Sequence, residues 1–207
     1  MSVYQTEEEQ VEAIKKWWKE NGTSVVAGLV IGLGAVFGWQ GWTSYQERIK
    51  KEASVSFQQL MTAVDSKNTE SAGNQAELLR MEYDSTSYAV FAAMTQARLK
   101  LEQGDSAAAR SQLEWAMQNS TDESLTQLVR LSLARVLLND GDLDAAAKLA
   151  EVKQGGFAGE FAELRGDIAV AKQDAAAAHE AYTLALSLNV TNPELLQMKL
   201  DDLAINP

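Results

Sequence analysis

Apolar side chains run almost without interruption through one segment near the start of the chain. Residues 25–39 contain no polar side chain, and no charge occurs anywhere between Asn21 and Gln46. A helix of about 20 such residues matches the roughly 30 Å hydrocarbon thickness of a bilayer. The pattern predicts one transmembrane helix at residues 24–43, between a leader at 1–23 and a domain at 44–207.

Aromatic residues stand at both ends of this segment, as is typical of side chains that prefer the membrane interfaces. They are Trp17 and Trp18 before it, and Trp39, Trp42 and Tyr45 at its end. A cleaved signal peptide is disfavoured, because its apolar core is usually 7–15 residues long and is followed by a site with small residues. A buried core helix is also disfavoured, because five glycines would each weaken a water-soluble helix by roughly 1 kcal/mol.

Beyond the anchor, apolar positions recur with the period of a helix, and no window alternates long enough to build a sheet. The first helix is expected to continue from the anchor through Thr43 to Ser66, since no proline occurs before Pro193. Further helices are predicted at residues 72–83, 87–103, 106–118, 123–138, 143–152, 157–172, 174–188 and 193–203. The sequence therefore predicts an all-α fold.

The breaks between these helices contain a repeat. Three turns have similar sequences, and they lie at residues 101–109, 138–146 and 171–178. The equivalent aspartates in these turns are Asp105, Asp142 and Asp174. Glycine can end one helix in a left-handed conformation, and an aspartate can cap the next. The spacing brackets the 34-residue tetratricopeptide period. We therefore expect a tetratricopeptide-like array of helical hairpins.

Small and bulky residues recur at matching places after these turns. They are Ala109, Leu113 and Ala116 in one unit, and Ala178, Tyr182 and Ala185 in another, with Gly166 in the helix before it. The middle unit keeps Ala146 but continues with Ala150 and Lys153, so we interpret it as a degenerate repeat.

Charge excludes some partners. The net charge is −11, of which −2 precedes the anchor and −9 follows it. No basic stripe is available for phosphates, so nucleic-acid binding is disfavoured.

The chain has no cysteine, which excludes disulfides and thiolate chemistry. Attachment to the lipid bilayer is expected to depend on the anchor alone.

Orientation in the membrane is not decided by charge. The N-terminal flank contains Lys15, Lys16 and Lys19, and the C-terminal flank contains Arg48, Lys50 and Lys51. The positive-inside rule compares such flanks, and here they are equal.

Small residues share roughly one half of the anchor helix. Among them, Gly28 and Gly32, and also Gly34 and Gly38, have the spacing that lets membrane helices approach closely. We predict that this glycine face packs against the membrane helix of a partner.

A second candidate surface lies in the array. In the tetratricopeptide register, Phe91, Met94 and Arg98 correspond to Leu128, Leu131 and Arg135 of the next unit. Such positions commonly line the concave face, so they are expected to form an apolar groove with arginines for an extended client segment or a partner's tail. The alternative is that they are ordinary core between helices.

The sequence contains few candidates for catalytic or metal-binding residues. His179 is the only histidine, and there is no partner motif for a metal site or a nucleophile. Asp140, Asp142, Asp144 and Glu151 have the spacing of a calcium loop, but the required glycine at its sixth place is Ala145. An acidic hairpin turn explains the same residues. We predict no enzyme activity, no cofactor and no metal.

The sequence also resembles a known family. The resemblance lies in the leader at residues 10–22, the glycine-rich anchor ending in Gly38 and Trp39, the segment 131–136 and the tail 197–203. In these it resembles the YfgM family, which are ancillary subunits of the bacterial SecYEG translocon. It implies an inner-membrane protein with a cytoplasmic N-terminus and periplasmic repeats. It also implies work beside the translocon and the membrane chaperone PpiD, passing exported chains to periplasmic chaperones, and a cytoplasmic link to the Rcs stress response regulator.

Two other functions stay open from the residues alone. One is a cytoplasm-facing, membrane-tethered signalling adaptor with the reversed topology. The other is an accessory to an envelope enzyme that uses the acidic turns and requires a divalent metal.

Overall fold

Helices form all the regular secondary structure in the part of the chain that the computed structural model describes, residues 7–188 and 190–205. They are α1 Glu7–Asp65, α2 Thr69–Glu82, α3 Ser87–Glu102, α4 Ser106–Asn119, α5 Glu123–Asn139, α6 Leu143–Leu149, α7 Ala158–Ala171, α8 Ala175–Ser187 and α9 Pro193–Ile205. The all-α prediction is confirmed. Residues 1–6 of the predicted leader, Asn189 of the last predicted break and residues 206–207 of the predicted domain lie outside the described residues.

Helix α1 contains the whole predicted anchor. Among the described residues it is the one helix long and apolar enough to cross a membrane. The predicted continuation of the helix beyond residue 43 is confirmed, because α1 extends to Asp65. The chain divides into two compact units, Met1–Ile49 and Lys50–Pro207, and α1 contributes to both. The limits proposed for leader, anchor and domain stay predictions.

Four turns of the second unit share one geometry. Each contains a residue in the left-handed region, and these are Lys67 (φ 55°), Gly104 (φ 79°), Gly141 (φ 80°) and Gln173 (φ 60°). The amide of the next residue donates to a carbonyl in the last turn of the preceding helix, at 2.9 Å in all four. That is the Schellman ending of a helix, which satisfies carbonyls that the helix leaves unpaired. Four helical hairpins result: α1 with α2, α3 with α4, α5 with α6, and α7 with α8.

The residue that closes each turn also starts the next helix. Its side chain accepts a hydrogen bond from the backbone N–H three residues later, at 3.0–3.3 Å. These capping residues are Asn68, Asp105, Asp142 and Asp174. The three turns predicted from sequence are confirmed. The turn at Lys67 was missed, and α2 consequently begins at Thr69, three residues before its predicted start.

The repeat is visible again in the core. The positions four, eight and eleven residues after each cap are buried wherever the repeat is complete. They are Ala72, Ala76 and Leu79; Ala109, Leu113 and Ala116; Ala146 and Ala150; and Ala178, Tyr182 and Ala185. A hairpin cannot bury both its faces alone, so neighbouring hairpins supply the missing apolar surface.

The third hairpin departs from the prediction. Helix α6 was expected to extend to residue 152 but ends at Leu149. The Nη1 atom of Arg165, on α7, donates to the carbonyls of Ala150 at 2.8 Å and Val152 at 3.0 Å. Because this guanidinium binds carbonyls that a longer helix would use internally, it stabilises the early ending. Lys153, at the place of a buried core residue, is exposed, which agrees with a degenerate repeat.

Candidate peptide-binding site

The turns supply a register for the first helix of each hairpin. We define the groove row as the positions thirteen, ten and six residues before each left-handed residue. On α3 and α5 these are the six residues predicted from sequence: Phe91, Met94 and Arg98, and Leu128, Leu131 and Arg135. On α1 they are Ser54, Phe57 and Met61, and on α7 they are Glu160, Glu163 and Asp167.

The six predicted residues differ in accessibility. Phe91 is 38% exposed, whereas Leu131 is 2% exposed and belongs to the central core cluster. Met94 and Leu128 are half-buried against the same cluster. Leu131 is therefore part of the core between the helices. Phe91, Met94 and Leu128 are the apolar residues of the row that are accessible from the surface. Peptide binding itself stays a prediction.

The two arginines of the row lie on its surface. Arg98 and Arg135 are both exposed. The Nε atom of Arg98 is 3.6 Å from a carboxylate oxygen of Glu102, one turn along the same helix. A pair this exposed contributes little to stability, so its guanidinium stays available to another carboxylate.

Aromatic residues extend the row toward the start of the array, and sequence reasoning missed them. The ring centroid of Phe57, on α1, is 6.1 Å from that of Phe91 and 5.6 Å from that of Tyr88. These distances lie in the range of favourable aromatic pairs. The signal that would have found Phe57 is its distance from the turn at Lys67, which was not recognised as a turn.

At the other end of the row the residues are acidic and bind the last helix. The Nζ atom of Lys199, on α9, donates to Glu163 Oε1 at 2.8 Å and to Asp167 Oδ1 at 2.7 Å. The Tyr182 hydroxyl donates to the same Asp167 oxygen at 2.7 Å. Burial lowers the pKa of Lys199, but the hydrogen bonds to Asp167 and Glu163 and the negative charges of these two carboxylates together outweigh burial, so the pKa of Lys199 is raised. Burial and then the bond to Asp167 raise the pKa of Tyr182. Lysine and tyrosine both keep their protons here.

In the acidic turn that was considered as a calcium loop, the carboxylates cap a helix and bind nearby side chains. Asp142 caps α6 and lies 3.5 Å from Arg110, and Asp140 accepts a hydrogen bond from Ser106 at 2.6 Å. Lys172 donates to Asp144 at 2.8 Å, and this hydrogen bond lowers the pKa of Asp144. These contacts join neighbouring turns of the array.

Within the described ranges, no three histidine or acidic side chains are arranged to hold a metal ion. His179 lies exposed on α8, and Glu151, the last residue of the supposed calcium loop, is also exposed.

The first unit contains the predicted glycine face. Gly28, Gly32, Gly34 and Gly38 all lie exposed on α1, and a β-carbon at any of them would meet nothing within 4 Å. The first unit thus leaves this face open, and its pairing with a membrane partner stays a prediction. In the leader, Gly22 is buried against Trp18. A β-carbon at residue 22 would lie 3.1 Å from the indole ring.

Comparison with known proteins agrees with this architecture. A family model described as a tetratricopeptide repeat-like domain matches residues 15–205. The chain is 33% identical over 208 residues to the ancillary SecYEG translocon subunit of Escherichia coli, covering 99% of this chain and 100% of that protein. The chain belongs to the ancillary SecYEG translocon subunit family.

Other members of this family align over a similar extent. The Haemophilus influenzae subunit is 35% identical over 199 residues, covering 95% of this chain and 97% of that protein. The Neisseria gonorrhoeae subunit is 29% identical over 212 residues, covering 98% and 100%. No solved structure matches the chain significantly.

Two of the segments on which the family resemblance rests make defined contacts in the structure. The leader segment contains the contact between Trp18 and Gly22. The tail segment 197–203 contains Lys199, which joins α9 to α7. In this member of the ancillary SecYEG translocon subunit family, both segments therefore contribute defined packing.

Proposed function

We propose that this chain is a non-enzymatic scaffold of the bacterial inner membrane that works beside the SecYEG translocon. The observation that carries the proposal is full-length similarity to proteins named ancillary SecYEG translocon subunit. One long apolar helix in the described part of the chain supports a single membrane span. The array of hairpins supports a binding role, since stacked repeats of this kind present extended surfaces to partners.

The proposed orientation has residues 1–23 in the cytoplasm, residues 24–43 in the membrane and residues 44–207 in the periplasm. The orientation follows from the resemblance to the YfgM family, because the charged flanks are equal. A compartment-sensitive reporter attached after Pro207 tests it. Activity of a periplasm-dependent reporter is expected, whereas activity only of a cytoplasm-dependent one would favour the reversed adaptor.

The array is proposed to receive extended segments of exported chains through the groove row and to pass them to periplasmic chaperones. By the same resemblance, its partners include the membrane chaperone PpiD, and the cytoplasmic end acts on the Rcs response regulator. Exposed Phe91, its neighbour Phe57 and the surface arginines support the groove. Crosslinking in intact membranes, with identification of neighbours, tests the partner set.

The glycine face is proposed to contact the membrane part of the translocon. Replacing Gly34 and Gly38 with leucine fills the space that permits close approach of two helices. Recovery of SecYEG with the tagged, full-length protein from mild detergent is expected to fall at least about tenfold, which corresponds to 1.4 kcal/mol. The matched control replaces Val26 and Val36 with leucine on the opposite half of the helix and is expected to leave recovery unchanged. Equal recovery with both pairs would contradict a glycine contact.

A further inference from the structure

Helix α9 continues the groove row. In α7, Phe161 and Ile168 are buried against the preceding hairpin, seven residues apart. In α9, Leu196 and Leu203 have the same spacing and pack into the cluster formed with α7 and α8. Superposing these two pairs in register gives Leu195, Met198 and Asp202 the row positions of α9, equivalent to Phe91, Met94 and Arg98 of α3.

Two apolar residues of the row are exposed on α9, the last helix in the described part of the chain. Leu195 is 46% exposed and Met198 is 63% exposed. The positions that a following helix would cover are polar instead, and there Gln197 donates a hydrogen bond to Asp201 at 2.9 Å. The end of the array is therefore capped by polar groups, as repeat proteins require. The exposed apolar side chains belong to the row, not to the cap.

Charge changes sign along the extended row. Its α3 and α5 part contains Arg98 and Arg135, and its α7 and α9 part contains Glu160, Glu163, Asp167 and Asp202. Lys199 is bound by Glu163 and Asp167, so it offsets only one of these four carboxylates. Glu160 accepts a bond from Thr191 through Oε1, while its buried Oε2 has no hydrogen-bond partner within the described ranges.

We propose that the groove row, from Phe57 to Asp202, binds an extended polypeptide segment in one direction only. The segment has an apolar residue placed at Phe57 and Phe91, then an acidic residue placed at Arg98 and Arg135, and then a basic residue placed at Glu160 and Asp202. Opposite charges in the two parts of the row favour one direction, because the reversed segment brings like charges together. This inference rests on the proposed function and specifies the chemistry of the bound segment.

Two peptides of equal composition test the direction. Each is about 15 residues long, which spans about 50 Å when extended. One has apolar residues, then acidic residues, then lysines, and the other has the positions of the acidic residues and the lysines exchanged. Binding of each labelled peptide to the full-length protein in nanodiscs is measured by fluorescence anisotropy. The first peptide is expected to bind at least about fivefold more tightly than the second, and the difference should shrink in high salt.

Charge variants then connect the preference to the row. R98E/R135E makes the basic part acidic and is expected to abolish the preference between the two orders. K148E/K153E changes the net charge equally on exposed residues outside the row and should preserve it. E160Q/D202N is expected to reduce it, with D201N as the control on the polar cap.

The outcomes separate the two levels of the proposal. If both orders bind equally, or if R98E/R135E and K148E/K153E have the same effect, the directional groove is wrong although peptide binding stands. If neither these peptides nor an uncharged apolar peptide binds, the groove of the proposed function is wrong as well.

Discussion

The ring of Tyr182 lies over Gly166, in the space that a β-carbon on residue 166 would occupy. Gly166 is on α7 and Tyr182 on α8, so the pair sets how closely the two helices of the last hairpin approach. The tyrosine hydroxyl also donates to Asp167, beside the glycine. One side chain thus fills the contact between the helices and orders a carboxylate of the groove row.

Gly166→Ala is expected to destabilise the array, because the new methyl group would overlap the tyrosine ring. Overpacking of this kind costs about 1–3 kcal/mol. Gly73→Ala, on α2, is the matched control, since a β-carbon there meets nothing within 4 Å. It should stabilise the protein by up to about 1 kcal/mol through higher helix propensity. Denaturant unfolding followed by circular dichroism measures both, and a stable Gly166→Ala variant would contradict the packing.

At two of the left-handed turns, substitutions are expected to change the stability of the protein in opposite directions. Gly141→Ala forces a side chain to adopt a φ of 80° and should cost about 1–2 kcal/mol. Gln173→Gly relieves the same strain at a φ of 60° and should raise the melting temperature. If Gln173→Gly lowers the melting temperature, a contact of the glutamine outweighs the backbone term.

Lys199→Met is expected to loosen α9 from α7. Methionine retains most of the length of the side chain but leaves Glu163 and Asp167 without their cation, and these side chains are only 18% and 30% exposed. A loss of about 1–3 kcal/mol is expected, because two partly buried carboxylates lose their cation and Asp167 keeps only the hydrogen bond from Tyr182. Lys172→Met is the control, because its partner Asp144 is 89% exposed. Hydrogen exchange of α9 amides should accelerate in the first variant only.

Alkaline pH is expected to weaken the same contact. The pKa of Tyr182 is raised by burial and by Asp167, so its neutral form is favoured in the folded state. The pKa of Lys199 is raised as well. Stability from both groups is present below their unfolded pKa values, near 10, and declines as pH rises above them. Tyr182→Phe should make the decline above pH 10 shallower, which a series of unfolding curves between pH 8 and 11 measures.

Calcium is expected to have no effect on stability. Asp140, Asp142 and Asp144 already bind Ser106, Arg110 and Lys172, respectively. Asp142→Ala should cost about 1 kcal/mol, because α6 loses its cap. Thermal unfolding with millimolar calcium, magnesium or zinc tests the alternative. A rise in melting temperature that disappears in Asp142→Ala would instead support a metal-dependent role.

Much of the fold was predictable because it depends on local chemistry. The turns at Gly104 and Gly141 combine a residue that tolerates positive φ with an aspartate that caps the next helix. The turn at Lys67 has the same geometry with a lysine in the left-handed position, so the residue that usually marks such a turn is missing. Its asparagine cap and the alanines at positions 72 and 76 were the remaining signals.

The tertiary contacts were less predictable. The early end of α6 depends on Arg165, which belongs to another helix and is distant in sequence. The bonds from Lys199 to α7 likewise required knowing where α9 packs. In the candidate site, Phe91 and Arg98 are exposed whereas Leu131 is buried, and the register alone could not distinguish exposed from buried positions.

The polar contacts between successive turns, from Ser106 to Asp140 and from Lys172 to Asp144, connect the second hairpin to the third and the third to the fourth. Damage in one repeat is therefore transmitted stepwise and weakens with distance. A hairpin at either end of the array has one neighbour instead of two, so it is expected to unfold locally before the hairpins in the middle.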